Sequence, residues 1–230
     1  MTVEPGAKVL LSPHLDDVAL SCFGALAGGV AATVFTASPA RPGVLSAWDA
    51  DCGASSSRDL MAARRAEDEA AAALAGATAR HLGFAEQHHR DEPLDVAALT
   101  AGLADLTAGA AEVWVPAAVY GNPDHATVRS AAFAALARAA VPSVWLYAEY
   151  PYHVYLTRSG EDLASWFARR VPSADPEPVV RTLTGGELAR KRAAVSCYAS
   201  QLGPLDRTLG GRLLDDDLLG VEYAWRVRRG

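Results

Sequence analysis

Short apolar runs alternate with amphipathic stretches along most of this chain. Lys8 to Ser12 (KVLLS) and Ala32 to Ala37 (ATVFTA) read as β-strands, separated by a helix over Val18 to Ala27. Ser38 to Ser57 is rich in Pro, Gly and Ser and reads as a loop. From Arg58 to Ala75, Leu60, Ala63, Ala70, Ala71 and Leu74 recur at helical spacing among charged residues, which predicts an amphipathic helix. A strand at Ala79 to Phe84 and a helix at Val96 to Leu106 come next, then a strand at Glu112 to Val119, whose Pro116 must lie near its end. The remaining expectations are a helix at Ala126 to Ala140, a strand at Ser143 to Ala148, a helix around Trp166, a strand at Val179 to Leu183 and a helix at Glu187 to Ser200 capped by Thr184. Strand and helix in alternation predict a mostly parallel sheet with helices on both faces, an α/β three-layer sandwich. No repeat, low-complexity tract or composition break divides the chain, so residues 1–230 are expected to form one domain.

Composition narrows the partners. A formal net charge of −6 argues against nucleic acid, whose affinity depends on Lys and Arg neutralising phosphates. No apolar stretch reaches the length of a membrane span, and the first residues lack a cleavable leader pattern, so the expected location is the cytoplasm. Cys22, Cys52 and Cys197 have neither CxxC spacing nor the density of a disulfide scaffold, and are expected to be reduced thiols. Homo-oligomerisation is left open.

In open α/β sheets, functional residues gather beyond the carboxyl ends of the strands. Two such loops carry chemistry: Pro13-His14-Leu15-Asp16-Asp17 after the first strand, and Tyr120-Gly121-Asn122-Pro123-Asp124-His125 after the strand that ends at Val119. With a helix starting at Asp16, His14 and Asp17 can face one point while Asp16 projects differently. Adding His125 makes a mixed N/O set of three ligands that leaves a fourth position open for water, the arrangement of a catalytic zinc site. The bland alternative is a pair of helix caps with loop histidines.

These loops, with Arg64 and Glu67 on a helix, the Leu82-Gly83-Phe84 run, and Lys191, Tyr198, Ser200 and Gln201, resemble the LmbE-like (PIG-L) family of zinc-dependent N-acetylsugar deacetylases. The resemblance runs from near the N-terminus to about Gln201. It implies a Rossmann-like fold and one zinc per chain, held by His14, Asp17 and His125. A water on that zinc would attack an N-acyl small molecule, with Asp16 as general base. Tyr120, Arg64 and Glu86 would line the substrate pocket, and Tyr120 with Asn122 would meet the oxyanion. Asn122 departs from the family pattern, which has His there; an amide donates a hydrogen bond but carries no proton that titrates near neutrality. Two other readings remain: a metal-dependent thiol S-transferase, and a metal-binding relative without turnover.

Several residues keep a plainer reading. Arg64 and Glu67, at i and i+3, make a simple surface ion pair, and His88 and His89 fit a solvated loop. The aromatic-rich segment Tyr150, Tyr152, His153, Tyr155 is open between core, subunit contact and a ligand wall, with His153 the candidate substrate contact. Gly24 to Gly29 (GALAGG) is not GxGxxG and ends a helix, where Gly is an ordinary cap, which argues against a dinucleotide.

Overall fold

Five of the apolar runs become the parallel part of one seven-stranded sheet in the computed structural model, which describes residues 2–171, 173–175 and 177–228. The strands are β1 (Lys8–Ser12), β2 (Val30–Phe35), β3 (Thr78–Phe84), β4 (Glu112–Pro116), β5 (Ser143–Tyr147), β6 (Val179–Thr182) and β7 (Val221–Arg226). They lie in the order β3-β2-β1-β4-β5-β7-β6, with β7 antiparallel to both β5 and β6. Val9, Leu10 and Leu11 of β1 are fully buried, as a central strand covered on both faces requires.

Helices α5 (Val96–Thr107), α6 (Pro123–Leu136) and α8 (Leu163–Arg170) cover one face. There Leu99, Leu103, Val128, Ala131 and Phe167 pack with Val113, Val115 and Trp225. On the other face, α1 (Asp17–Ser21), α2 (Phe23–Leu26), α4 (Ser57–Ala75) and α9 (Gly185–Val195) bring Val18, Phe23, Ala71 and Ala194 against Leu10 and Tyr147. This is the three-layer α/β fold that the alternating pattern predicts. Among the described residues, no helix is long and apolar enough to cross a membrane.

Local chemistry explains where the elements begin and end. Ser56 caps α4 by accepting from the Asp59 N–H, and Gly76 closes it with a φ of 70°. The helix expected from Ala126 begins at Pro123, because Asn122 caps it and Pro suits the first turn. The strand expected to reach Val119 stops at Pro116, and the chain then turns through Ala118 and Tyr120, both at positive φ. The helix expected over Val18 to Ala27 is broken at Cys22, whose φ of −143° is not helical. Within the expected loop Ser38 to Ser57 lies α3 (Ala47–Asp51), and the aromatic segment is helical as α7 (Tyr152–Arg158). The last helix expected, Glu187 to Ser200, is two: α9 and α10 (Ala199–Thr208), followed by α11 (Asp216–Leu219).

One buried ion pair ties these layers together. Lys191 of α9, 1% exposed, donates to Glu222 of β7 at 2.8 Å, and the same carboxylate accepts the Gly24 N–H of α2. Replacing one partner strands the other charge, so Lys191→Met is expected to cost about 3–5 kcal/mol in urea unfolding. The double change Lys191→Met/Glu222→Leu should recover part of that loss, because no lone charge then remains buried.

Candidate active site

The order of strands reverses between β1 and β4, so the loops that follow them open side by side at one end of the sheet. The β1 loop supplies His14 and Asp17. Ser12 shapes it: its hydroxyl donates to the His14 carbonyl at 2.6 Å and accepts from the Val18 N–H at 3.2 Å. The β4 loop supplies His125 from the first turn of α6.

These three side chains converge. His125 Nε2 lies 3.3 Å from Asp17 Oδ2 and 3.3 Å from His14 Nδ1, and His14 Nδ1 lies 3.5 Å from Asp17 Oδ2. A tetrahedral zinc with bonds of about 2.0–2.1 Å spaces its donors by roughly 3.3–3.5 Å, so the set fits such an ion. The second nitrogen of each imidazole meets a carboxylate. His14 Nε2 is 3.3 Å from Asp124, and His125 Nδ1 is 3.0 Å from Glu149. Carboxylates behind ligating histidines hold the ring and its tautomer for a metal.

Both carboxylates are themselves held. Asp124 accepts from the Gln87 N–H at 2.9 Å and from Arg90 at 3.0 Å. Glu149 accepts the backbone N–H groups of Ala118 (2.6 Å) and Val119 (3.1 Å). Ala118 sits at φ 57° and Tyr120 at φ 66°, conformations that cost energy for residues with a Cβ. One buried side chain therefore stabilises the strained turn and orients a candidate ligand.

The charged groups of the site shift one another strongly. Burial alone would depress the His14 imidazole, yet Asp124 and Asp17 push its pKa up to about 10. Burial would raise Asp17, but His125 and His14 hold it below the ordinary carboxylate range. Asp16 goes the other way: burial, then the neighbouring Asp17 charge, raise it to about 6.

A cavity of about 310 Å³ opens over these groups. His14, Asp16, Asp17, Asn122 and Asp124 line it together with the polar Arg64, Glu86 and Gln201, the apolar Leu20, Leu205 and Pro151, and the aromatic Trp48 and Tyr152. Asn122 accepts the Asp124 N–H at 2.9 Å and donates to the Tyr152 hydroxyl at 3.1 Å.

Other sequence expectations need correction. Arg64 does not pair with Glu67; it is buried and meets Glu86 at 3.4 Å, while Glu67 holds the N–H and hydroxyl of Ser200. His89 is not solvated but buried, 2.8 Å from Asp49 and 3.3 Å from Glu86. Of Asp49, Glu86 and His89, Glu86 meets the Arg64 guanidinium, while Asp49 Oδ1 and His89 Nδ1 have no hydrogen-bond partner among the described residues. Tyr120 is 56% exposed, its ring against Tyr155, outside the cavity lining. His153 is also outside it: buried between Tyr150 and Tyr223, with burial and nearby Lys191 lowering its pKa to about 4.

Glu149 and Trp48 carry no role in the sequence reading, and Tyr152 enters it only within the aromatic segment left open between core, subunit contact and ligand wall. The strand-end rule that picks out His14 would have pointed to Glu149, two residues beyond β5. Trp48, whose indole N–H donates to Gln201 at 2.8 Å, has no such signal.

No family model matches the chain, and no curated protein matches it. Solved structures do. The chain is similar to the A40926 pseudoaglycone deacetylase Dbv21, with a TM-score of 0.73 and 26% identity over 99% of both chains. It also resembles the zinc-inhibited form of teicoplanin deacetylase Orf2, at a TM-score of 0.77 and 22% identity over 97% of this chain and 98% of that one. GalB, the 4-carboxy-2-hydroxymuconate hydratase of Pseudomonas putida KT2440, shares the fold at a TM-score of 0.60 and 17% identity, over 98% and 97% of the two chains.

Two outcomes follow from this geometry. Glu149→Ala is expected to weaken zinc binding about 10- to 100-fold, measured by competition with a chromophoric chelator. Asp16 is harder to ionise in the folded chain than in the unfolded one, so metal-free protein should lose stability relative to Asp16→Asn as pH rises from 3.8 to about 6. The difference should approach about 3 kcal/mol above that window and vanish below it, as read from denaturant midpoints at each pH.

Proposed function

We propose that this chain, with its LmbE-like fold, is a metal-dependent hydrolase that removes the acyl group from an N-acetylated small molecule. The observation that carries the reading is the meeting of His14, Asp17 and His125 at tetrahedral spacing, each imidazole backed by a carboxylate, beneath a cavity that Asp16 borders. The 26% identity with an antibiotic pseudoaglycone deacetylase supports the same reaction class. Zinc is the ion that this donor set suits best.

A divalent ion held by these three residues would polarise the scissile carbonyl and acidify a water for attack. Asp16 does the proton work. In the metal-free chain burial and the Asp17 charge raise its pKa to about 6; its carboxylate can accept a proton and its acid form can return one to a departing amine. It takes a proton from the attacking water as the C–O bond forms and returns it to nitrogen as the C–N bond breaks. The products are a carboxylate and an amine. Asp124 and Glu149 keep the two rings in place throughout.

The cavity supports an amphipathic acyl acceptor. Arg64, Glu86 and Gln201 offer hydrogen bonds to hydroxyl or amide groups, as an amino sugar presents, while Trp48, Leu205 and Pro151 suit the apolar face of a ring or aglycone. An N-acetylated sugar or a natural-product intermediate bearing one meets both demands.

The test is acetate release from a panel of N-acetylated amino sugars and glycosides, using protein loaded with one equivalent of zinc and again with excess. Asp16→Asn should retain the metal and lose about 100-fold or more in kcat. Joint loss of metal and activity would make Asp16 a ligand instead. If no acetate forms while water adds to an unsaturated acid, the hydratase sharing the fold becomes the better guide.

A further inference from the structure

We infer that the Tyr152 hydroxyl, held by Asn122, is the donor that meets the oxyanion of the tetrahedral intermediate, the place that the sequence reading gives to Tyr120. The inference rests on the acyl-transfer reading above and adds a residue to it.

Asn122 is oriented by its neighbours. Its Oδ1 accepts the Asp124 N–H at 2.9 Å as the cap of α6, so Nδ2 is the atom facing Tyr152, and it donates to the phenol oxygen at 3.1 Å. That bond uses a lone pair of the phenol oxygen and leaves its own proton for another acceptor. Donation to a hydroxyl also strengthens the hydrogen bond that the hydroxyl makes in turn. The Tyr152 ring stands edge-on to His125, with centroids 5.2 Å apart and planes at 77°, and it borders the same cavity as His14, Asp16 and Asp17. An acyl oxygen arriving beside the candidate ligands would therefore find this hydroxyl within the wall.

Tyr120 has the opposite placement. Its positive φ turns it outward, and its ring rests on Tyr155, which in turn meets Tyr152 edge-on at 6.1 Å. The Asn at position 122 fits this arrangement. One neutral amide caps the helix with its oxygen and holds the phenol with its nitrogen, and neither contact changes with pH near neutrality.

The experiment uses the full-length, zinc-loaded protein with Tyr152→Phe, Tyr120→Phe and Asn122→Ala. Two quantities are measured: acetate release, and affinity for methylphosphonate, a tetrahedral anion, against planar acetate. Tyr152→Phe should keep its zinc and KM, lower kcat about 100- to 1000-fold, and weaken methylphosphonate binding about tenfold or more with acetate binding unchanged. Tyr120→Phe should stay within about twofold of the native protein on every measure. Asn122→Ala should cost less than Tyr152→Phe and add nothing to it in the double variant, as expected for a residue acting through the phenol.

Unaltered methylphosphonate affinity in Tyr152→Phe, or a loss that appears in Tyr120→Phe instead, overturns the assignment. So does failure of the native protein to bind the anion. If no acetamide is cleaved yet methylphosphonate binding depends on Tyr152, the deacetylase reading fails while the donor assignment stands.

Discussion

Parallel pairing of β1 with β4 is the constraint on which the rest of the site depends. The register Lys8↔Glu112, Val9↔Val113, Leu10↔Trp114 brings the ends of two strands about a hundred residues apart in sequence to the same edge of the sheet. The direction in which successive strands are added reverses across this pair: β2 and β3 lie on one side, β5 and β7 on the other. Helices leaving in opposite directions must open a crevice between them. His14 and His125 meet because the sheet leaves their loops no other place to go.

The buried charges answer a problem set by that crevice. Asp16, Asp17, Asp124 and Glu149 are all buried, and each ionised carboxylate there needs a partner. Backbone N–H groups take up Glu149, and Arg90 with the Gln87 N–H takes up Asp124. Asp17 accepts the His14 N–H at 2.7 Å and leans on two imidazoles, while Asp16 has its pKa raised instead. Two adjacent carboxylates thus take different roles through their surroundings alone. Asp17 is held ionised beside two imidazoles, while burial and the Asp17 charge make Asp16 harder to ionise.

The wall opposite is built by tertiary ties that local patterns do not reveal. Trp48 of the short α3 reaches Gln201 of α10, and Ser200 beside it reaches Glu67 of α4. Arg64, one turn from Glu67, thereby faces inward toward Glu86 rather than forming the helical pair its spacing suggests. The i, i+3 rule gives neighbours on an isolated helix, and packing decides whether either keeps that partner.

Much was legible without coordinates. The apolar runs of β1, β2, β4 and β5 and the 3.6-residue period of α4 carry their own burial, because a covered strand or amphipathic helix must be apolar where it packs. The two loops with His14, Asp17 and His125 were readable because strand ends are where an α/β sheet puts its chemistry. What lay beyond the sequence was orientation. The outward turn of Tyr120, the inward turn of Tyr152 and the burial of His153 follow from backbone angles after β4 and β5, set by Glu149 and by packing, and no period or composition encodes them. The same holds for α10 and β7. A helix containing Gly203 and Pro204 has weak local preference, and it is fixed by what it packs against. Sequence alone determined which residue types border the crevice; tertiary structure decided which of them face into it, because side-chain direction depends on contacts between segments far apart in the chain.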